Sequence, residues 1–292
     1  MDTLRLSLFV DLAQSKSFSA TARKFYRSQP AVSISIRKLE EELGVLLLQR
    51  GAASVRLTPE GEILRKQAVE ILSLVDDLKF QASQLAKKPK GYVRFAAIHS
   101  VDLYELSDTI RVFIKKFKDI RLGLQYDEFR RVYELVESQE IEFGVVAYPQ
   151  ATNAIEVIPM MEHEMVVIVP KEGPFRGRAE VKLTELEGQS FVTFLEGTPT
   201  RQAIDGALKK AGVAVDMRFE DNNIEMLKKA VEVGMGVSIV PLKTVEKEKS
   251  GRFRLLHIKN RPLKRPIGIV KLKTHRLSRA AGLFVEELLD HR

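Results

Sequence analysis

Ser28, Gln29, Ser33, Arg37 and Lys38 fall in one short run, SQPAVSISIRK. A carboxamide, two hydroxyls and two cations at such spacing break no bonds; they suit base edges and phosphates. The side chains that could catalyse are not arranged to do so. Five histidines, His99, His163, His257, His275 and His291, are scattered, and His163-Glu164 lacks the spacing of a metal-binding helix motif. No Gly-x-Ser-x-Gly elbow, P-loop or glycine-rich dinucleotide turn occurs. The absence of cysteine excludes disulfides, thiolate metal sites and a thiol redox switch. The chain is expected to bind rather than catalyse, with no metal and no cofactor.

The local pattern supplies the elements that position these groups. Ser17 precedes a helix over 19–25 with Phe18, Ala22 and Phe25 as its apolar stripe, and Ser28 caps a second helix that opens with Gln29 and Pro30. Ala31, Val32, Ile36, Leu39 and Leu43 recur at helical spacing and face inward, leaving Gln29, Ser33, Ile34, Arg37 and Lys38 outside, and Gly44 ends the helix. A helix over 4–15, with Leu4, Leu8, Phe9, Leu12 and Ala13 on one face, completes a core too small to stand alone. Residues 45–48 and 54–57 suit a two-stranded wing around a 49–53 tip, where Arg50 and Arg56 meet phosphates. The pattern is that of a winged helix-turn-helix and points at duplex DNA as the expected partner; an ordinary helical subdomain with solvated basic residues is the competing reading.

Thr58-Pro59-Glu60 starts another helix, and no proline follows until Pro89. Leu64, Ala68, Ile71, Val75, Leu78, Ala82 and Leu85 alternate in steps of four and three, a heptad seam along a helix of roughly 40 Å. A coil of that length holds two reading helices at two half-sites, so a homodimer or homotetramer is expected, with an amphipathic helix packed on its own protein as the competing reading.

Charge agrees. The net charge is +8, and residues 1–58 hold nine basic side chains against five acidic ones, which favours a polyanion partner. No signal peptide and no membrane-length apolar run occur, so the expected location is the cytoplasm. The stretch Lys87-Lys88-Pro89-Lys90-Gly91 is basic and helix-ending and marks a boundary. Beyond it strands are expected over 92–97, 121–126 and 143–148, with helices over 103–118 and 132–139. A second set follows: strands over 165–170, 191–194, 219–221 and 237–240, and helices over 199–211 and 224–233. The chain is expected to cross between two α/β lobes at 159–164, return at 262–266, and close with a strand over 267–272 and a helix over 278–289.

In open α/β folds, small molecules settle at strand ends that meet helix N-termini. His99, Ser100 and Val101 occupy such a junction in the first lobe, and Thr198, Pro199 and Thr200 the matching one in the second. Tyr126, Tyr148 and Arg130 are second-rank candidates. Helix capping is the competing role for Ser100 and Thr198, and the expected role of Asn222 and Asn223.

The N-terminal segment resembles the LysR-type transcriptional regulators. The resemblance rests on Ser17-Phe18, Ala22, Ser28-Gln29-Pro30-Ala31-Val32-Ser33, Ile36, Leu39-Glu40, Leu43-Gly44, Leu47, Arg50 and Leu57-Thr58-Pro59-Glu60-Gly61. Thr21, Leu48, Ile34 and Ser35 depart from the family pattern; an isoleucine at 34 offers only apolar contact, for instance to a thymine methyl. The C-terminal half resembles the family's effector-binding domain through Glu142-Phe143-Gly144-Val145-Val146, Gly197-Thr198-Pro199-Thr200-Arg201 and the run from Ala230 to Pro241. The fold it implies is a winged helix-turn-helix (1–58), a coiled-coil linker helix (59–90) and a two-lobed α/β domain like periplasmic binding proteins of type 2 (91–292). Lobe I takes about 91–161 and 267–292, lobe II about 162–266. The implied function is that of a sequence-specific DNA-binding regulator whose oligomer responds to an anionic metabolite in the cleft, with RNA polymerase as a further partner. Ser17, Ser28, Gln29, Pro30, Ser33, Ile34, Arg37, Lys38, Arg50 and Arg56 are the implied DNA contacts. A dimeric receptor without DNA contact would leave the run from Ser28 to Ser33 and the basic N-terminal bias unexplained.

Overall fold

Short polar side chains set the first three helices. The side chain of Asp2 accepts from Arg5 N at 2.8 Å, Ser17 from Ala20 N at 3.2 Å and Ser28 from Ala31 N at 3.3 Å, opening α1 (Thr3–Ser15), α2 (Phe18–Lys24) and α3 (Gln29–Leu43). Gly44 ends α3 at φ 71°, a left-handed backbone that glycine adopts without strain. Leu8, Phe9, Leu12, Ala22, Val32, Ile36 and Leu39 make the core between them. Leu4 turns outward, and Leu6 is buried instead. This computed structural model describes residues 2–49, 55–85, 90–101, 106–246, 248, 251–259 and 262–290.

Among the described residues, the expected wing is reduced to one antiparallel bridge, Leu48 with Leu57. Gln49 N–H donates to Arg56 O at 2.9 Å, and Thr58 N–H to Leu47 O at 3.0 Å. The Glu40 carboxylate on α3 accepts from Leu47 N at 2.7 Å and Leu48 N at 3.1 Å, which fixes the bridge to α3 and leaves those N–H groups out of a longer ladder. Arg50 and residues 51–54 lie outside the described residues.

Thr58 Oγ1 accepts from Gly61 N at 2.9 Å and starts α4 (Pro59–Leu85), 27 residues or about 40 Å long. Its first half packs into the N-terminal core through Leu64, Ala68 and Leu72. Its second half packs on the C-terminal body through Phe80, which is 2% exposed. There Asp77 Oδ1 accepts from Arg279 N at 2.9 Å, and a Cβ on Gly91 would come within 2.8 Å of the Ala280 Cβ. The expected seam is therefore split. Leu64 and Ala68 serve the chain's own core, while Ile71, Leu78, Ala82 and Leu85 are exposed and are joined by Leu74. A straight helix of 3.6 residues per turn drifts from a 3.5-residue repeat, so one line of side chains cannot keep one face. Of the expected boundary stretch, residues 87–89 lie outside the described residues.

The body is built on one mixed sheet. β1 (Gly91–Ala97) lies parallel between β2 (Ile120–Tyr126) and β3 (Phe143–Ala147), and β10 (Lys264–Leu272) runs antiparallel between β3 and β4 (Ile155–Pro170). Beyond β4 the sheet continues through β9 (Phe253–Ile258) to β5 (Glu180–Val181), and β8 (Ser238–Pro241) also pairs with β4. β6 (Ser190–Thr193) and β7 (Asp216–Glu220) form a separate pair. Helices α5 (His99–Val101), α6 (Ser107–Lys116), α7 (Phe129–Glu137) and α10 (Arg279–Asp290) belong to the first lobe; α8 (Pro199–Lys210) and α9 (Ile224–Glu232) to the second. Each lobe has its own core, around Phe95, Phe143 and Phe284 in one and Val167, Phe191 and Ile239 in the other.

The crossing expected at 159–164 is made by β4, a continuous 16-residue strand whose residues 155–164 pair with β10 and 165–170 with β8 and β9. Pro159 is accommodated because the β4–β10 register shifts between Ile267 and Gly268, leaving Met160 as the extra residue of a bulge, where a missing N–H disrupts no ladder. The return at 262–266 likewise becomes strand from Lys264 onward. The helix expected over 103–118 is described only as α6, since 102–105 lie outside the described residues. No helix among the described residues is long and apolar enough to cross a membrane.

Candidate functional site

Two groups of candidate residues are separated by α4. In the N-terminal unit, Gln29, Pro30, Ile34, Arg37, Lys38 and Arg56 are exposed, and Ser33 is half-buried. The first five and Ser33 all lie on α3, and Arg56 follows on the bridge strand. Ser19 Oγ donates to Gln29 Oε1 at 3.0 Å and holds the carboxamide at the head of the helix. Ser17 and Ser28 are used as helix caps, so their oxygens serve backbone N–H groups rather than standing free. Ser35, which departs from the family pattern, turns back and donates to Ala31 O at 2.8 Å. Behind this face, the buried Asp11 carboxylate takes the Thr21 hydroxyl at 2.8 Å and pairs with Lys24, tying α1 to α2.

The second group meets between the lobes. A cavity of about 60 Å³ is lined by His99, Ser100, Asp127, Glu128, Thr198, Pro199, Thr200 and Asn222, with Ile98, Phe129, Ala147 and Phe194 as its apolar walls. Two of the lining residues, Ser100 and Thr200, are joined by Arg265, which lies on β10, is 0% exposed and is not itself in the lining. Arg265 Nη2 donates to Ser100 Oγ at 2.6 Å, and Nε to Thr200 Oγ1 at 3.4 Å. One guanidinium thus joins a hydroxyl from each lobe. Because each oxygen accepts from the cation, its own proton is left for some other acceptor, and both residues line the cavity.

The remaining candidates divide. Ser100 caps no N–H among the described residues, and 102–105 lie outside them, whereas Thr198 is a cap: its oxygen accepts from Arg201 N at 3.3 Å and its hydroxyl donates to Leu195 O at 2.9 Å. His99 is exposed and stacks on Tyr126 with ring centroids 5.4 Å apart. Val101 is fully buried in the first lobe's core and does not line the cavity; as an apolar side chain at the strand–helix junction it packs inward. Tyr126 and Arg130 lie outside the lining as well. Tyr148, at φ 49°, donates its hydroxyl to Lys264 O at 3.0 Å, and burial pushes its phenol up while the nearby Arg265 cation pulls it down. Asn223 caps α9 through Glu225 N at 2.9 Å, but Asn222 lines the cavity instead of capping. Arg265, within the expected return at 262–266, and the acidic pair Asp127 and Glu128, ahead of the helix expected from 132, are the residues that sequence reasoning missed. The one sequence signal for Arg265 was its place between Pro262 and Pro266.

Comparison with known proteins covers both groups. Residues 4–62 match the family model described as bacterial regulatory helix-turn-helix protein, lysR family, and residues 86–292 match the LysR substrate binding domain. The chain is 29% identical over 266 residues to the HTH-type transcriptional regulator CysL of Bacillus subtilis, covering 91% of this chain and 89% of that protein. Its fold is similar to that of a full-length OxyR variant from Pseudomonas aeruginosa, with a TM-score of 0.79 at 23% identity over 100% of this chain and 94% of the other. It is also similar to CbnR, solved in complex with its target DNA, with a TM-score of 0.66 at 21% identity and 100% of both chains covered.

Proposed function

The chain belongs to the LysR family of DNA-binding transcriptional regulators with an effector-binding domain, and from that premise we propose that its effector is a small organic acid that also carries a hydroxyl or amino group. The observation that carries this reading is the Arg265 guanidinium donating to Ser100 and Thr200. Both hydroxyls are left as donors in the cavity lining, with a buried cation joining them, and such a pair favours carboxylate, phosphate or sulfate oxygens. Asp127 and Glu128 also line the cavity. Asp127 already takes the Gln125 amide at 3.1 Å and Glu128 N at 3.0 Å, so what these two offer a ligand is acceptors. A ligand with an anionic end and a donor end satisfies both pairs. The cavity of about 60 Å³ holds only a few water-sized groups, so anything larger requires the lobes to part, and differential affinity for the two arrangements is what would shift the oligomer.

Residues 1–58 are assigned to reading promoter DNA, with Gln29, Ser33 and Ile34 toward bases and Arg37, Lys38 and Arg56 toward phosphates. Residues 59–90 link and pair the chains through the exposed Ile71, Leu74, Leu78, Ala82 and Leu85 of α4. Residues 91–292 hold the effector, and RNA polymerase is the further partner of the promoter-bound oligomer. The test is thermal unfolding of the full chain against a panel of hydroxy, amino and unsubstituted organic acids and of neutral sugars, repeated on Ser100→Ala. Stabilisation by one substituted acid, lost in the variant, is expected. Stabilisation by a neutral sugar and by no acid would overturn the anionic head.

A further inference from the structure

The end of α2 follows a strict hydrogen-bond pattern. Phe25 closes the helix, Tyr26 N–H donates to Arg23 O at 3.2 Å, and Arg27 N–H donates to Ala22 O at 2.9 Å. That pair of bonds defines a helix stop whose middle residue takes a left-handed backbone, a place held by glycine in most helices and sometimes by asparagine. α3 ends on Gly44 at φ 71°, through one bond to Glu40 O, and α7 makes the same pair as α2 around Gln139, at φ 58° and buried. In α2 the place is held by Tyr26 at φ 53°.

A bulky side chain in this conformation is disfavoured, and the fold gives no packing in return. The Tyr26 side chain is 98% exposed, and it has neither a hydrogen bond nor a ring contact among the described residues. A residue that breaks a local rule without gaining a contact marks a place where something other than folding has chosen it. Its surroundings say what. Arg23 and Arg27 flank it and are exposed, and the head of α3 at Gln29 begins three residues on. A phenol presents a neutral donor on an apolar ring, suited to a phosphate oxygen with the sugar beneath it.

We propose that Tyr26 is a DNA-backbone contact that sets how α3 enters the groove, its hydroxyl donating to a phosphate and its left-handed backbone aiming the ring away from its own helix. The inference rests on the DNA-binding reading above. A neutral donor displaces no counterion, so it strengthens binding equally at every salt concentration, whereas an arginine contact steepens the salt dependence.

Binding of the full-length chain to a duplex that the wild type selects from a random pool, followed by anisotropy over a range of salt, tests this together with melting temperature. Tyr26→Gly relieves the backbone, so it should melt at or above the wild-type temperature while binding about tenfold more weakly, with the salt slope unchanged. Tyr26→Asn tolerates the same backbone without the ring and should lose as much. Tyr26→Phe should bind severalfold more weakly, and Arg27→Ala should lower the slope by about one. Wild-type affinity in both Tyr26→Gly and Tyr26→Asn would overturn the proposal, as would a lower melting temperature in Tyr26→Gly, which would make the ring structural. Full affinity in Tyr26→Phe would remove the hydroxyl from the contact. A wild-type chain that selects no duplex would instead overturn the DNA-binding premise.

Discussion

The reading helix and the effector cleft hold their working side chains in opposite ways. On α2 and α3 each cap lies three residues from the N–H it serves, and the candidate contacts point into solvent. In the cleft, Arg265 reaches hydroxyls 65 and 165 residues away, and the guanidinium and Ser100 are buried. DNA is large enough to come to an exposed surface and brings its own field, so its reader needs only a stiff, correctly capped helix. A small ligand must be enclosed, which requires walls from distant segments and a buried cation that is costly unless hydrogen-bonded. The first kind of site asks little of folding and is local in sequence; the second does neither.

Four substitutions would break or sharpen that contrast. The largest effect is expected from Leu78→Asp. If α4 pairs two reading heads, sedimentation should show a monomer and DNA affinity should fall about a hundredfold through lost bivalency, with the melting temperature little changed; a variant still dimeric and tightly bound would move the interface off α4. Arg265→Met should abolish the ligand-induced shift in melting while changing unliganded stability by less than about 1 kcal/mol, because an apolar side chain of similar length replaces a buried charge at little net cost. A loss above about 3 kcal/mol would make the cation a structural clasp between lobes. Gln29→Ala should weaken binding to a selected duplex about tenfold, leave random duplex unaffected, and shift stability by no more than about 0.5 kcal/mol; equal losses on both duplexes would assign it to the backbone.

The smallest effect concerns His275, at the joint between α4 and the body. Burial lowers its pKa below the ordinary 6.5; Glu70 and Asp77 on α4 pull it up, and Lys271 and Arg94 push it further down. The folded state therefore favours the neutral ring. Its contribution to stability is complete above pH 6.5 and is lost as pH falls through the lowered value. His275→Gln should flatten the acid side of the melting-temperature profile, and a profile identical to wild type would show the ring titrating alike in both states.

What could be read from the sequence follows the same contrast. Ser17, Ser28, Gly44 and Thr58 announce the N-terminal elements because each acts within one helical turn. The cleft's two junctions were also visible, since Ser100 and Thr200 stand where strands give way to helices. Arg265 was not, for nothing within reach along the chain indicates that a residue beside two prolines pairs with hydroxyls of both lobes. Pro159 misled in the same way: it reads as a break, and only the register of a partner more than a hundred residues on turns it into a bulge. β5 and β9 were hidden because each is short and is defined by what it pairs with. Tyr26 escaped notice because a left-handed backbone leaves no mark on a tyrosine.

The packing of α4 at both of its ends makes it a connecting rod without a bearing. Leu64, Ala68 and Leu72 clamp one end in the reading head, and Phe80 and Asp77 clamp the other to the body. Over about 40 Å, a tilt of about 5° at the body displaces the head by about 3.5 Å, close to the rise of one base pair along DNA. A signal in the cleft therefore has little freedom to swing the head on its own chain. If α4 pairs two chains, the signal is left to the angle between their rods, and the promoter would then sense the gauge between two heads rather than the pose of either one.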